Sequence, residues 1–192
     1  KGECVRFSFC LPYQLSDFEN FYQNNLENKV QRFVLCNTER GKTVPAYFFG
    51  NGDKLILFTA RHHCCESTGS YALDGTVLSI LLSHPELIKN YLFLVVPFID
   101  LDGVENGDQG KDRFPHDPNR DYTDKPIFNS VKSLIELTKN KPIEAVIDFH
   151  SPWKWGGLDD EPHIHFAIDS TENETFKKIY NHISICGYSN RF

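Results

Sequence analysis

The sequence has no methionine, only two tryptophans and no excess of basic residues. Its formal net charge is -6, and Lys and Arg form no long run. Because proteins that grip nucleic-acid phosphates cluster basic side chains, this composition argues against nucleic acid as a partner. The longest apolar runs, such as "LFLVVPFI", fall well short of the roughly 20 residues that cross a bilayer, so we expect no contact with a membrane.

A secretory signal and an initiator methionine are also absent at the start, which reads Lys1-Gly2. We therefore expect a fragment or a processed form of a longer protein. The 192 residues suffice for one domain, which we assign to 1–192. The six cysteines have no regular spacing, and a domain of this size needs no disulfides. We expect reduced thiols and a cytoplasmic location.

The apolar residues follow a strand-and-helix pattern. Hydrophobic side chains make up 40% of the chain and include 16 Phe. Strands are predicted in "QRFVLCNTE", "TVPAYFFGNGDKLILFTA" (two, around Asn-Gly), "YLFLVVPFI" and "PIEAVIDFH", and helices in "SYALDGTVLSILLSHPELIK", "PIFNSVKSLIELTKNK" and "STENETFKKIYNHISIC". We expect Pro85 to end or interrupt the first of these helices. Strands that alternate with helices predict an α/β fold with a mainly parallel sheet.

Polar residues with catalytic potential follow three of these strands. "LILFTA" runs into "RHHCCE", "AVIDF" runs into His150, and "LVVPFI" runs into a long polar segment. Ligands gather at the carboxyl ends of strands in open α/β sheets, so we expect the three segments to build one site.

His63, Glu66 and His150 are the candidate metal ligands. A His-x-x-Glu spacing lets an imidazole and a carboxylate converge on one ion, although alone it is more often a surface contact. With His150 the set becomes His2Glu, which leaves a fourth position for water as a catalytic zinc requires. His62 is an alternative to His63 but lacks the i, i+3 relation to Glu66. Cys64 and Cys65 could bind zinc, but we interpret them as packing residues.

The segment "HDPNRDY" supplies a second cluster. The planar guanidinium of Arg120 matches a carboxylate, and Asn119 can add an amide donor. Asp117 can orient a metal-bound imidazole as an outer acceptor. The alternative is a solvated loop with a local Arg–Asp pair.

Taken together, "ARHHCCES", "VVPFIDLDGVENG", "DPNRDY" and "IDFH" resemble the zinc carboxypeptidase family, and within it the cytosolic carboxypeptidases. The ordered motifs span residues 60 to 150. The resemblance implies a three-layer α/β/α fold with a mixed, mainly parallel twisted sheet, one Zn²⁺ ion, and hydrolysis of the C-terminal peptide bond of a peptide or protein.

The resemblance also implies roles for individual residues. His63, Glu66 and His150 would bind zinc, Asn119 and Arg120 would hold the substrate carboxylate, and Asp117 would partner the first histidine. The family's carbonyl-polarising arginine matches neither Lys111 nor Arg113 cleanly, so that catalytic role stays open between them. "SPWKWGG" after His150 departs from the family pattern. The family's catalytic glutamate lies far beyond its third ligand, so we expect the general base after Phe192.

Two rival functions stay open. A related zinc amidohydrolase acting on N-acyl amino acids would use the same ligands and arginine. A non-catalytic zinc- or peptide-binding domain would explain why no catalytic glutamate follows His150 at the family's distance.

Overall fold

The computed structural model describes Gly2, Ser8 and residues 10–150. These residues lie in a compact unit that spans Lys1–Pro152. The helix predicted for 170–186, and Trp153 and Trp155, lie outside the described residues. The elements are α1 (Leu15–Phe21), a π-helical turn (Tyr22–Leu26), β1 (Gln31–Asn37), β2 (Thr43–Gly50), β3 (Lys54–Ala60), α2 (Ser67–Ser83), α3 (Pro85–Asn90), β4 (Tyr91–Val96), α4 (Leu101–Asn106), a 3-10 turn (Pro118–Arg120), α5 (Asn129–Thr138) and β5 (Ile143–Phe149).

The five strands form one mixed sheet in the order β1-β2-β4-β3-β5. β1 pairs with β2, and β2 with β4, in antiparallel fashion. β3 runs parallel to both β4 and β5. The predicted α/β class is confirmed, and the parallel pairs lie at the end of the sheet where the candidate ligands were expected.

The centre of the sheet is buried on both faces. Phe93, Leu94, Val95 and Val96 of β4 are all buried, although successive side chains of a strand point to opposite faces. A strand that is covered on both faces has a continuous run of apolar residues. The segment "YLFLVVPFI", from which β4 was predicted, is such a run.

The apolar run "AVIDF" predicts a second buried strand, but within the described residues β5 is partly exposed. Val146 is 55% exposed and Ile147 is 45% exposed. Within the described residues β5 pairs only with β3 and forms one edge of the sheet.

The predicted break at Pro85 is confirmed, since α2 ends at Ser83 and α3 begins at Pro85. Two helices were not predicted. α1 lies in the N-terminal segment, where Phe18 is fully buried, and α4 opens the segment that was interpreted as a long polar loop. The Asp100 side chain caps α4 by accepting a hydrogen bond from the Gly103 amide at 2.9 Å.

α2 packs against both β3 and β5 and fixes how closely their ends approach. Gly69 permits this packing, because a Cβ at that position would lie 2.6 Å from the carbonyl oxygen of Phe149. Phe149 precedes His150 directly, so the helix start and the end of β5 are held in contact.

Candidate metal centre and carboxylate-binding loop

The parallel pairing of β3 and β5 brings two separate parts of the sequence together. Thr59 lies opposite Asp148, and Ala60 lies opposite Phe149. Because parallel strands end at the same edge, the residues that follow β3 lie beside His150. This register accounts for the convergence of His63 and Glu66 with a histidine more than 80 residues later.

The turn after β3 is held by a buried arginine. The backbone of Arg61 has φ +62, a left-handed conformation that is uncommon for residues other than glycine. Its guanidinium, 4% exposed, donates to the carbonyl of Cys64 at 3.0 Å and to the carbonyl of Tyr13 at 2.8 Å. These bonds compensate for the strained backbone and fix the segment that carries His62 and His63.

His63, Glu66 and His150 form one cluster. One potential ligand atom from each lies within 4.8 Å of the others. The Glu66 amide bonds the His63 carbonyl at 3.0 Å, so a single turn places both side chains on one side. His63 Nδ1 is 3.2 Å from Glu66 Oε1, and His150 Nδ1 is 2.7 Å from Glu66 Oε2. Two imidazoles and one carboxylate fit the ligand preference of zinc.

Hydrogen bonds set the charges of this cluster. Burial would raise the pKa of Glu66, but hydrogen bonds with His150, His63 and Lys111 hold that pKa well below its usual range. Burial would lower the pKa of His150, but hydrogen bonds with Asp148 and Glu66 raise it to about 10. The carboxylates are therefore ionised at neutral pH, and a metal ion would replace a proton on the imidazole.

Lys111 and Asp117 also reach this cluster. The ammonium of Lys111 lies 2.7 Å from Glu66 Oε1. Asp117 Oδ1 is 3.7 Å from His63 Nε2, which is longer than a hydrogen bond. Asp117 also accepts a hydrogen bond from the Asn119 amide at 2.8 Å and so caps the 3-10 turn.

Arg113 is placed differently from Lys111. Its guanidinium bonds Asp100 through Nε at 2.9 Å and reaches Asp108 at 3.2 Å. With Phe114 and Phe128 it lines a cleft of about 390 Å³ that the metal cluster does not line. None of the three candidate metal ligands lines this cleft.

Arg120 is exposed and Asn119 is half-buried on the 3-10 turn. Within residues 10–150, no carboxylate forms an ion pair with Arg120, although Asp117 and Asp121 flank its turn. The local Arg–Asp pair that was the alternative interpretation is therefore not formed among the described residues.

Three residues near the metal cluster were not predicted as part of the site: Asp148, Tyr122 and Thr59. Asp148 could have been found, because residues i and i+2 of a strand share a face and it lies two positions before His150. His62, considered only as an alternative ligand, forms a second cluster with Asp148 and His150, whose potential ligand atoms also lie within 4.8 Å of one another. Neither cluster among the described residues includes a cysteine. Cys64 is buried at 2% exposure and donates to the Asp108 carbonyl at 3.1 Å.

The chain matches no family model. It is 29% identical over 160 residues to Cytosolic carboxypeptidase 6 of Caenorhabditis elegans, covering 72% of this chain and 34% of that protein. It is 26% identical over 167 residues to Cytosolic carboxypeptidase 2 of Xenopus tropicalis, covering 75% and 17%. The chain thus spans about a third or less of the length of these relatives.

Solved structures show the same fold. A metallo-carboxypeptidase from Burkholderia cenocepacia superposes with a TM-score of 0.65 at 19% identity, covering 79% of this chain and 43% of that one. One from Pseudomonas aeruginosa gives 0.64 at 16% identity, covering 73% and 40%. The fold is that of the metallo-carboxypeptidases. The resemblance to the zinc carboxypeptidases is confirmed, and among them the chain is similar in sequence to cytosolic carboxypeptidases.

In the part of the chain that the structure describes, no helix combines the length and apolar character needed to cross a membrane.

Proposed function

We propose that the protein is a zinc-dependent metallocarboxypeptidase that hydrolyses the C-terminal peptide bond of peptides or proteins. The observation that carries the proposal is the convergence of His63, Glu66 and His150 within 4.8 Å at the carboxyl ends of β3 and β5. The sequence similarity to cytosolic carboxypeptidases supports it. Residues 1–192 would form part of the catalytic domain.

His63, Glu66 and His150 would hold the zinc ion. When bound, zinc supplies Lewis-acid polarisation of the scissile carbonyl and a lower pKa for the attacking water. Glu66 holds both histidines through its two oxygens, so one carboxylate sets the spacing of all three ligands. Asp117 lies on the far side of the His63 ring, with Oδ1 3.7 Å from Nε2, and it would need to move closer to orient the ring as an outer acceptor.

Arg120 and Asn119 would bind the terminal carboxylate of the substrate. A guanidinium offers two parallel N–H donors that match a carboxylate, and Arg120 is exposed on a turn that begins with Asp117 beside His63. Recognition of a chain end requires one such cation within reach of the reacting bond. This pair would therefore select the last peptide bond.

Lys111 is the better of the two candidates for stabilising negative charge on the carbonyl oxygen. Its ammonium already lies at the ligand cluster, 2.7 Å from Glu66. Arg113 is neutralised by Asp100 and Asp108 and supports the loop through those contacts. Preorganised cations beside a developing oxyanion are a major source of catalysis.

The general base would come from outside the described residues. Glu66 is bonded to both histidines and to Lys111, and Asp148 is bonded to two imidazoles. Neither carboxylate is free to take a proton from water. A glutamate beyond Phe192, as in the family, would complete the reaction.

A cytoplasmic location is part of the proposal. Relatives are named cytosolic carboxypeptidases, and Cys10, Cys36, Cys64 and Cys65 are free thiols in the structure.

The test uses the full-length protein and an Arg120→Ala variant. We expect kcat/KM on peptides to fall about 30-fold or more, because a charge pair with the substrate is lost, while zinc content stays unchanged. Arg40→Ala removes another exposed arginine and should have no effect. Equal activity of the Arg120 variant would show that this residue does not bind substrate.

A substrate panel separates the carboxypeptidase from the amidohydrolase. Unblocked peptides should be shortened by one residue at the C-terminus, and N-acyl amino acids should be poor substrates. Faster turnover of the acylated amino acids would favour the amidohydrolase, and zinc binding without turnover of either class would favour a binding domain.

A further inference from the structure

His150 presents its two ring nitrogens to two different carboxylates. Nδ1 faces Glu66 Oε2 at 2.7 Å, and Nε2 faces Asp148 Oδ2 at 2.5 Å. Only the Glu66 side belongs to the proposed zinc site. The Asp148 side therefore needs its own explanation.

A chain of hydrogen bonds continues from Asp148 away from the zinc ligands. Asp148 Oδ1 lies 2.9 Å from His62 Nδ1 and accepts from Thr59 Oγ1 at 2.8 Å. His62 is 3% exposed, and its Nε2 lies 2.7 Å from the hydroxyl of Tyr122. Through Tyr122, the loop that carries Arg120 is connected to this chain of hydrogen bonds.

If a metal ion takes the place of the proton on His150 Nδ1, one assignment of the remaining protons satisfies every member of this chain of hydrogen bonds. Tyr122 donates its O–H to His62 Nε2, and His62 donates Nδ1–H to Asp148. His150 then donates Nε2–H to the other oxygen of Asp148. Because a neutral imidazole carries one N–H, this leaves the lone pair of His150 Nδ1 directed at the Glu66 side, as a metal ligand requires.

We propose that Asp148, His62 and Tyr122 are positioning residues that fix the ring orientation and tautomer of His150. The inference rests on the proposed role of His150 as a zinc ligand. None of the three residues touches the metal in this arrangement. They act through their hydrogen bonds. Only one of the two imidazole tautomers, in one orientation of the ring, satisfies the hydrogen bonds of the buried groups.

A second metal ion between His62, Asp148 and His150 is the competing interpretation, since their ligand atoms also converge. It would require both nitrogens of His150 to be deprotonated at once if the first site were filled. It would also displace hydrogen bonds that already satisfy His62 and Asp148. The positioning role needs neither change.

The experiment measures metal binding by the full-length protein and three variants. Asp148→Asn keeps the shape but cannot accept N–H donors from both imidazoles, so its zinc Kd should rise about 10–100-fold. His62→Gln should have a smaller effect. Tyr122→Phe removes one hydroxyl from a residue that is 46% exposed, so it should fold normally and raise the zinc Kd about two- to tenfold.

Two further readouts distinguish positioning from general structural damage. The visible spectrum of the Co²⁺-substituted protein should change in Asp148→Asn, because the geometry of the His150 ligand is altered. In peptide hydrolysis kcat should fall with KM nearly unchanged, because Arg120 and Asn119 remain. The double variant Asp148→Asn/Tyr122→Phe should be no weaker in zinc binding than Asp148→Asn, since the hydroxyl acts through Asp148.

Glu144→Gln is the matched control. Glu144 lies on the same strand as Asp148, and its carboxylate pairs with Lys54 at 3.0 Å on the surface. Zinc affinity and the Co²⁺ spectrum should stay at wild-type values.

The proposal is overturned if Asp148→Asn and Tyr122→Phe keep wild-type zinc affinity and Co²⁺ spectrum. It is also overturned if the wild type binds two Co²⁺ per chain and His62→Gln binds one. A His63→Gln variant, read in the same assay, tests the proposed zinc site separately. If that variant and the wild type bind zinc equally, the ligand assignment itself is wrong.

Discussion

The ends of β3 and β5 differ from the loop between α4 and α5 (107–128) in how they hold functional groups. At the strand ends Glu66 is buried and bonded on both oxygens, and His62 is 3% exposed. On the loop Arg120 is exposed, without an ion pair among the described residues. In the proposed function the strand ends would hold the metal ligands, whose geometry must be exact, and the loop would hold cations that approach a substrate from one side.

The strand ends and the loop differ for a physical reason. A metal ion tolerates little variation in ligand position, so its ligands need rigid neighbours such as paired strands and a packed helix. A guanidinium that grips a carboxylate can adjust through its side-chain rotamers. Substitutions at the strand ends should therefore change metal binding, and substitutions of the cationic side chains on the loop should change substrate turnover.

Glu66→Gln should give the largest effect. It removes the one anionic ligand and the partner of both histidines, so the zinc Kd should rise by more than the roughly 100-fold typical of losing an outer contact. Competition with a zinc chelator measures this. Glu136→Gln, an exposed carboxylate on α5, serves as control. Retention of tight zinc binding by the Glu66 variant would remove the distinction between strand ends and loop.

Lys111→Met should affect turnover more than metal binding. Loss of one preorganised donor to an oxyanion lowers kcat about 100–1,000-fold in other hydrolases. Zinc should still bind, because Lys111 contacts Glu66 but donates no ligand. Steady-state kinetics of Lys111→Met beside Arg113→Met distinguishes the two candidates, and a larger kcat loss in the Arg113 variant would reverse our assignment.

Gly69→Ala and Gly75→Ala compare two positions of one helix. A Cβ at Gly69 would meet the Phe149 carbonyl at 2.6 Å, whereas one at Gly75 meets nothing within 4 Å. We expect Gly69→Ala to lower the free energy of unfolding by about 1–3 kcal/mol and to weaken zinc binding. Gly75→Ala should raise the free energy of unfolding by about 0.5–1 kcal/mol. Chemical unfolding tests both, and equal stability of the two variants would mean that α2 and β5 are not in close contact.

Asp74 makes the stability of the fold depend on pH. Burial raises the pKa of Asp74 to about 7, although a hydrogen bond from Tyr13 at 2.5 Å opposes the shift. The folded protein then holds a proton that the unfolded chain has lost between about pH 4 and pH 7. Stability from this group is therefore present at low pH and falls as pH rises, by at most about 1.4 kcal/mol per pH unit.

Asp74→Asn should remove that slope, since an amide does not ionise. The measurement is the difference in unfolding free energy between wild type and variant at several values from pH 4 to pH 7.5. A difference that does not change with pH would show that Asp74 is already ionised in the folded protein.

Much of the fold could be predicted from local patterns. The apolar runs of β3 and β4 and the break at Pro85 are properties of neighbouring residues, and so is the i, i+3 spacing of His63 and Glu66. The order of the strands in the sheet is not a property of neighbouring residues. β2 and β3 flank Asn51-Gly52, yet β4 lies between them, and Gly52 provides room for the backbone of Asn90.

By itself, the sequence determined which residue types could bind a metal and a carboxylate, and that strands deliver them to a common edge. Only the tertiary structure decided that His62, Tyr122 and Thr59 join Asp148 on the far side of His150. Those contacts join residues 60 to 89 positions apart, as in the pair Thr59–Asp148, and depend on the register of two parallel strands. Register is set by the packing of the whole sheet and by helix α2, which no short motif encodes.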